Sequence, residues 1–360
     1  MYLGFDHNIT RKRLNKIIIR METEGFEVWV IVFDLGNKTL QKQLKFKDGV
    51  YWFPNPYDPS RKVYMVPDGP HMLKLLRNHC FDNGFELPAA DGKRIVDGPP
   101  VQLNKKHFEE LVEKNEIKVA FKLTQFHIDV QSSERQRVRP AAQTFSHSVA
   151  CAMLYGKSPQ DPDYHEVLTR SYFIQVVNDW FDVMNSRFVG DFRNKLKVPM
   201  GYNEECTREQ LDALGRMEQV LKKLKVHSTG HQDWIKGILA NIHSIFDLYQ
   251  DLVIKGPFKY IMTSHVNQDA LENIFSQGRA LGGTHNTHPG PQDWLNRITK
   301  IYVCANYDVV VDVKKAAVEM EENPSTDVQC ALDDKDNLKD KSCQTLSQEV
   351  CKKLTKGVKT

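Results

Sequence analysis

Val30-Ile31-Val32-Phe33 runs into a single acid, Asp34. Far along the chain, Asp269 and Glu272 stand three residues apart in Asn267-Gln268-Asp269-Ala270-Leu271-Glu272-Asn273-Ile274-Phe275. The first run is short, apolar and β-branched, which predicts a buried strand with a carboxylate at its end. The second is helical, and its spacing puts both acids on one face. A strand acid and a distant helix acid are how a split nuclease core holds hard divalent ions, which take carboxylate oxygens. Two such ions activate the attacking oxygen of an in-line phosphoryl displacement and stabilise the leaving one. Taken singly, each acid is ordinary: a turn acid at a strand end and a solvated helix acid. Asp182 and Asn185 form another three-residue pair on one helix face. No G-x-x-x-x-G-K-[ST] phosphate loop occurs. His265, His285 and His288 fit no zinc spacing.

The elements that must carry these side chains follow from periodicity. Residues 8–24 predict an amphipathic helix through Leu14, Ile17, Ile18 and Met21, with Asn8 or Thr10 as cap and Gly25 past its end. Residues 26–33 predict a buried strand, followed by a short helix to about Leu44. Residues 51–60 contain Pro54, Pro56 and Pro59 and read as loop. Residues 62–66 predict a second buried strand. Pro70 then opens a helix that ends near Gly84, with Asp68 and His71 at its first turn. This alternation is an α/β pattern suited to a mainly parallel sheet. Two buried strands make a poor open sheet, so the unit is expected to lack strands of its own or to borrow them. From Leu103 to Val253 the patterns turn helical. One apolar stripe is Leu211, Leu214, Met217, Val220, Leu221 and Leu224; another is Trp234, Ile238, Leu239, Ile242, Ile245, Phe246 and Tyr249. Residues 258–280 return to a mixed pattern. After about Asp312 the chain becomes rich in lysine and acids, and a disordered tail is expected.

The 360 residues, 41% hydrophobic, suffice for two modest folded domains. A net charge of +3 neither requires nor excludes a nucleic-acid partner. The clusters Arg11-Lys12-Arg13 and Lys222-Lys223-Leu224-Lys225 read as solvated helix faces. Seven cysteines without a C-x-x-C pair argue against a disulfide framework or structural zinc and fit reduced thiols. No secretory leader and no apolar run of membrane-spanning length are visible. A soluble nuclear or cytoplasmic protein is expected.

Several blocks resemble, in order, the P-element-type transposases, the group that includes the THAP-domain transposases. Phe5-Asp6-His7-Asn8-Ile9-Thr10 is similar to that family's lead-in to a helix. Glu24-Gly25-Phe26-Glu27-Val28 through Asp34-Leu35-Gly36 resembles the strand ending in its second catalytic acid. Trp52-Phe53-Pro54-Asn55-Pro56 and Arg61-Lys62-Val63-Tyr64 follow. Next comes Pro67-Asp68-Gly69-Pro70-His71-Met72-Leu73-Lys74-Leu75-Leu76-Arg77-Asn78-His79, then Asn178-Asp179-Trp180-Phe181-Asp182-Val183-Met184-Asn185-Ser186. The last block runs from Tyr260-Ile261-Met262-Thr263 through Arg279, then Gly282-Gly283.

The resemblance implies a fold of α/β plus all-α insertion: a partial RNase H-like core interrupted by a mostly helical GTP-binding insertion domain. It places core in residues 1–98, insertion in 99–254, core again in 255–311 and tail in 312–360. By resemblance Asp34 and Glu272 are the second and third catalytic acids and ligands of Mg²⁺. The family's first acid belongs to an earlier strand, upstream of where this chain begins, and Asp6 is not its substitute. Asp182 and Asn185 would face the guanine of GTP, with Asp269 nearby. Lys122, Val138 and Ser146 match other positions around the nucleotide, Lys122 toward a phosphate. The complete family member would cut and join transposon-end DNA in the nucleus, as a homo-oligomer, with Mg²⁺ and GTP. This chain is expected to be a fragment or remnant with an incomplete triad, unable to nick transposon ends. The alternative is a domesticated, non-catalytic regulator that binds GTP, DNA or an intact transposase. Two departures from the family pattern, Asn37 directly after Gly36 and Gly278 inside the Glu272 helix, read as relaxed constraint.

Overall fold

The computed structural model describes residues 10–47, 49–113, 119–131, 134–189, 194–228, 232–281 and 290–305. The Phe5–Asn8 lead-in, the loop with Gly282, Gly283, His285 and His288, and the expected tail lie outside the described residues. The chain divides into two compact units, Met1–Asp269 and Ala270–Thr360.

The first unit opens with α1 (Arg11–Thr23), whose cap is Thr10: its hydroxyl accepts from the Arg13 N–H. Strand β1 (Val30–Phe33) is shorter than the apolar run that predicts it. Helix α2 (Lys38–Gln43) is capped by Asn37, whose side chain accepts from the Leu40 N–H at 2.9 Å. The expected loop 51–60 contains a strand, β2 (Trp52–Pro54), antiparallel to β3 (Lys62–Pro67). Proline is compatible with β2 because β2 is an edge strand. The order is β1-β3-β2, with β1 parallel to β3. The sheet therefore has three strands where the sequence announces two.

Helix α3 (Gly69–Asn83) starts where predicted, with Asp68 as its cap. Strands β4 (Phe85–Leu87) and β5 (Val101–Leu103) pair antiparallel. Then come α4 (Lys105–Glu113), α5 (Gln125–Ile128), α6 (Val138–Thr144), α7 (His147–Leu154) and α8 (Tyr164–Val183). Buried residues recur on every side of α8, the signature of a central helix. Helix α9 (Glu204–Lys223) leads into β6 (Lys225–Val226), which adds to β4 as a third antiparallel strand. Such a two-residue strand carries no alternation a sequence could reveal.

Helix α10 (Asp233–Tyr249) lies on the first sheet. Its fully buried Asn241 and Ser244 donate to Pro67 O at 2.9 Å and Met65 O at 3.0 Å. The β2 ladder ends at the Trp52–Tyr64 pair, so helix side chains satisfy β3 carbonyls beyond its reach. Both predicted apolar stripes face the core: Leu211 and Leu239 pack against it half-buried, and Phe246 is 42% exposed. The core runs through aromatic contacts: Phe108 on Phe145, Phe145 on Phe173, Phe173 on Phe85, and Phe85 on Trp234.

Helix α11 (Asp269–Ala280) begins at the end of the first unit, and α12 (Pro291–Ala305) follows in the second. Gly278 is buried, and a Cβ there would come within 2.1 Å of the Trp294 ring. Its carbonyl also accepts from Arg297 Nη1 at 3.0 Å. Close helix packing requires this glycine. The reading of Gly278 as relaxed constraint is corrected.

Candidate functional site

Parallel pairing of β1 with β3 sets the first cluster. Phe33 is in register with Pro67, so Asp34 and Asp68 leave the sheet side by side at one end. Asp34 is exposed, and its Oδ1 lies 3.9 Å from His71 Nδ1. Asp68 is 3% exposed. Its Oδ2 accepts from the His71 N–H, and its Oδ1 accepts from the Gln268 N–H, each at 2.9 Å. Burial pushes the Asp68 carboxyl above its usual range, and the charge of Asp34 adds to the rise. The two N–H donors oppose that rise. Asp68 is thus both the cap of α3 and the tether of the residue preceding Asp269. Its place in the turn was visible in sequence; its bond to a residue 200 positions later was not.

Glu272 is exposed on α11. The oxygens of Asp34 and Glu272 are of the hard, accessible kind that Mg²⁺ takes from few protein ligands. Among the described residues no three His, Cys, Asp or Glu side chains gather at a metal-holding point.

The second cluster forms where α8 ends. Asp182 is buried, and its carboxylate is engaged by neighbours of its own chain. Oδ2 accepts from Asn178 Nδ2 at 3.2 Å and from Asn194 Nδ2 at 2.8 Å, while Lys197 Nζ stands 3.3 Å from Oδ1. Asn178 Oδ1 in turn accepts from the His147 N–H at 3.1 Å. That bond fastens the start of α7, next to Ser146, to the Asp182 carboxylate. The Ser146 hydroxyl donates to Gln143 O and meets the Ser148 hydroxyl, both at 2.9 Å.

Asn185 and Asp269 meet through one arginine. Arg187 Nε donates to Asn185 Oδ1 at 3.0 Å, and Arg187 Nη2 donates to Asp269 Oδ2 at 2.8 Å. A buried hydroxyl pair brings these distant segments together. The Thr263 N–H donates to Ser186 Oγ at 3.0 Å, and the Ser186 N–H donates to Thr263 Oγ1 at 3.1 Å. Thr263 Oγ1 also donates to Val183 O. Both residues are fully buried. Thr263→Val keeps the shape, removes the hydroxyl and strands several polar groups, so it should cost about 1–3 kcal/mol. Thr263→Ser should retain most of the stability. Urea denaturation of both variants checks this, and equal midpoints would refute it.

Lys122 is exposed before α5, its ammonium 5.4 Å from the Phe121 ring centroid. Val138 is half-buried at the start of α6. The structure thus links the His147 N–H, next to Ser146, to Asp182 through Asn178, and Asn185 to Asp269 through Arg187. For Lys122 and Val138 it gives positions on neighbouring elements, without such links. Sequence reading missed Asn178, Asn194, Lys197, Arg187 and Thr263 as partners of this site. Asn178 had a usable signal, four residues before Asp182 on one helix face. Thr263 had none.

This site lies largely within a stretch of defined class: residues 70–197 match the family model described as a TNP-like, GTP-binding insertion domain. Over most of its length the chain is homologous to transposases. It is 29% identical over 324 residues to the Transposable element P transposase of Drosophila melanogaster, covering 87% of this chain and 41% of that protein. It is 26% identical over 237 residues to the human DNA transposase THAP9, covering 61% of this chain and 24% of that protein. Among solved structures it resembles the Drosophila P element transposase strand transfer complex, with a TM-score of 0.71 and 29% identity. That match covers 83% of this chain and 65% of the other. The chain therefore spans less than half the length of either full-length relative. No helix among the described residues is long and apolar enough to cross a membrane.

Proposed function

We propose that this chain is a transposase-derived guanine-nucleotide-binding protein built on part of an RNase H-like core. The three-stranded sheet with α3 would be that core's N-terminal part, the helical region from α4 through α10 would be the insertion, and α11 would return to the core. Asp182, Asn185 and Asp269 would recognise the guanine edge, and Lys122, Val138 and Ser146 would line the rest of the nucleotide. A carboxylate accepts from the N1–H and N2–H₂ edge of guanine, which adenine cannot present. The observation that carries this reading is the meeting of Asn185 with Asp269 at the end of α8, beside a stretch that matches a GTP-binding domain model.

In the complete protein, Asp34 and Glu272 would be the second and third acids that hold Mg²⁺ for cleavage and transfer of transposon-end DNA in a nuclear assembly of several copies. Their support is the homology and the exposed strand-end carboxylate beside the buried Asp68. Mg²⁺ bound there would stabilise charge on the reacting phosphate oxygens.

The test is titration with fluorescent GTP and ATP analogues. GTP should bind at least about tenfold more tightly, and Asp269→Ala should weaken it by about tenfold or more, the loss of one hydrogen-bonded charged partner. Equal affinity for the two nucleotides, with no effect of Asp269→Ala or Asp182→Ala, would overturn the reading.

A further inference from the structure

Arg187 engages two of the three proposed guanine-facing acceptors at once, Asn185 Oδ1 at 3.0 Å and Asp269 Oδ2 at 2.8 Å. The donors are Nε–H and Nη2–H, two parallel N–H groups on one carbon. Guanine carries the same grouping, because N1–H, C2 and N2–H₂ form a guanidine unit with two donors side by side. An amide oxygen and a carboxylate that accept one will accept the other.

We propose that Arg187 is a built-in competitor for guanine, and that the nucleotide enters by displacing it. This rests on the guanine reading of the site and adds the residue that sets its affinity. The local structure suits such a device. Arg187 follows Ser186, which is fully buried and pinned to Thr263, so the base of the arm is held. The arm itself is loose: the side chains of Arg187 and Asp269 are 52% and 35% exposed. Exposed charged pairs of this kind are weak, so a ligand with matching donors can open the pair. Asp182 does not compete for Arg187, because its carboxylate is already held by Asn178, Asn194 and Lys197.

The opposite role is equally concrete. As a bridge that preorganises Asn185 and Asp269, Arg187 would favour nucleotide binding, and its removal would weaken it. The sign of one measurement separates the two roles. Arg187→Ala, Arg187→Gln and Arg187→Lys are titrated with the fluorescent GTP analogue, alongside wild type and with thermal melting as a folding control. The competitor role gives a Kd lower by roughly three- to tenfold in the alanine and glutamine variants, the range of an exposed charged hydrogen-bonded pair. The gain should appear in the association rate, and lysine, which keeps the charge but lacks the parallel fork, should fall between. Binding by the alanine variant but not by wild type would be the same result in stronger form. A folded variant with unchanged or weaker GTP affinity would overturn the competitor role and leave the guanine site standing. No GTP binding by any form would remove the guanine reading and this inference with it.

Discussion

Glu22→Ala should lose about 3–5 kcal/mol of stability, the cost of breaking a buried charge network by removing one partner. Glu22 is 8% exposed on α1 and faces the turn between β2 and β3. Its Oε1 accepts from the Val28 N–H at 2.8 Å and from Asn55 Nδ2 at 2.6 Å, and its Oε2 pairs with Arg61. Asn55 is fully buried. Alanine would strand the Val28 N–H, leave the Asn55 amide with its long 3.4 Å bond to Val28 O, and remove the more buried of the two carboxylates on Arg61, whose Nε keeps Asp58 at 3.1 Å. The same carboxylate fixes how α1 sits on the sheet that presents Asp34. The pH dependence has a defined sign. Burial raises the Glu22 carboxyl, but the bonds from Arg61, Val28 and Asn55 outweigh it and hold the value below the usual 4.5. An acid with a depressed folded value stabilises the fold above its unfolded value, and loses that contribution as pH falls through the folded one. The gap between wild type and Glu22→Ala should therefore be full at neutral pH and narrow below about pH 4.5. Urea midpoints measured across acid pH check this. A gap under about 1 kcal/mol at neutral pH would show that the network is not holding α1 in place.

Trp234→Ala should cost about 3–5 kcal/mol, as expected for truncating a fully buried tryptophan. Trp234 is 1% exposed at the first turn of α10. Its ring stacks on Phe85 of β4 and on His79 of α3, each at 5.6 Å between centroids. Its indole N–H donates to Gln232 Oε1 at 3.0 Å. The residue therefore joins the helix that covers the first sheet to a strand of the second. Trp234→Phe should recover part of the loss, because a smaller ring keeps some of the stack. Urea unfolding of both variants is the measurement. A loss below about 1 kcal/mol for alanine would mean that the aromatic column does not couple the two sheets.

Part of the site was readable because it is encoded locally. Asp34 ends a strand because Val30–Phe33 is short, apolar and β-branched, and the α3 start follows from Asp68, Gly69 and Pro70 in a row. Asp182 and Asn185 are close because only three residues separate them, but the shared helix face expected from that spacing does not form: α8 ends at Val183, and Asn185 lies in the turn beyond it. Other features were misread for equally local reasons. Three prolines made 51–60 look like loop, although Pro54 sits on an edge where its missing N–H costs nothing. Gly278 looked like a weak helix position, because a sequence cannot show Trp294 packed over it.

By itself, the sequence determined the alternation of apolar strands and helices in its first hundred residues, where α1 and α3 start, and the acids placed at strand ends and on helices. These depend on neighbours within about four residues, and backbone geometry couples such neighbours directly. The tertiary structure decided which of those acids are free and which are engaged. Asp34 stays exposed while Asp68 is buried against Gln268; Asp182 is held by two amides and a lysine; and Asn185 shares Arg187 with Asp269. Those partners come from segments up to 200 residues apart, joined by the Ser186–Thr263 pair and the packing of α10 on β3. A carboxylate's availability depends on the donors that burial brings to it, and those donors are selected by packing rather than by spacing along the chain.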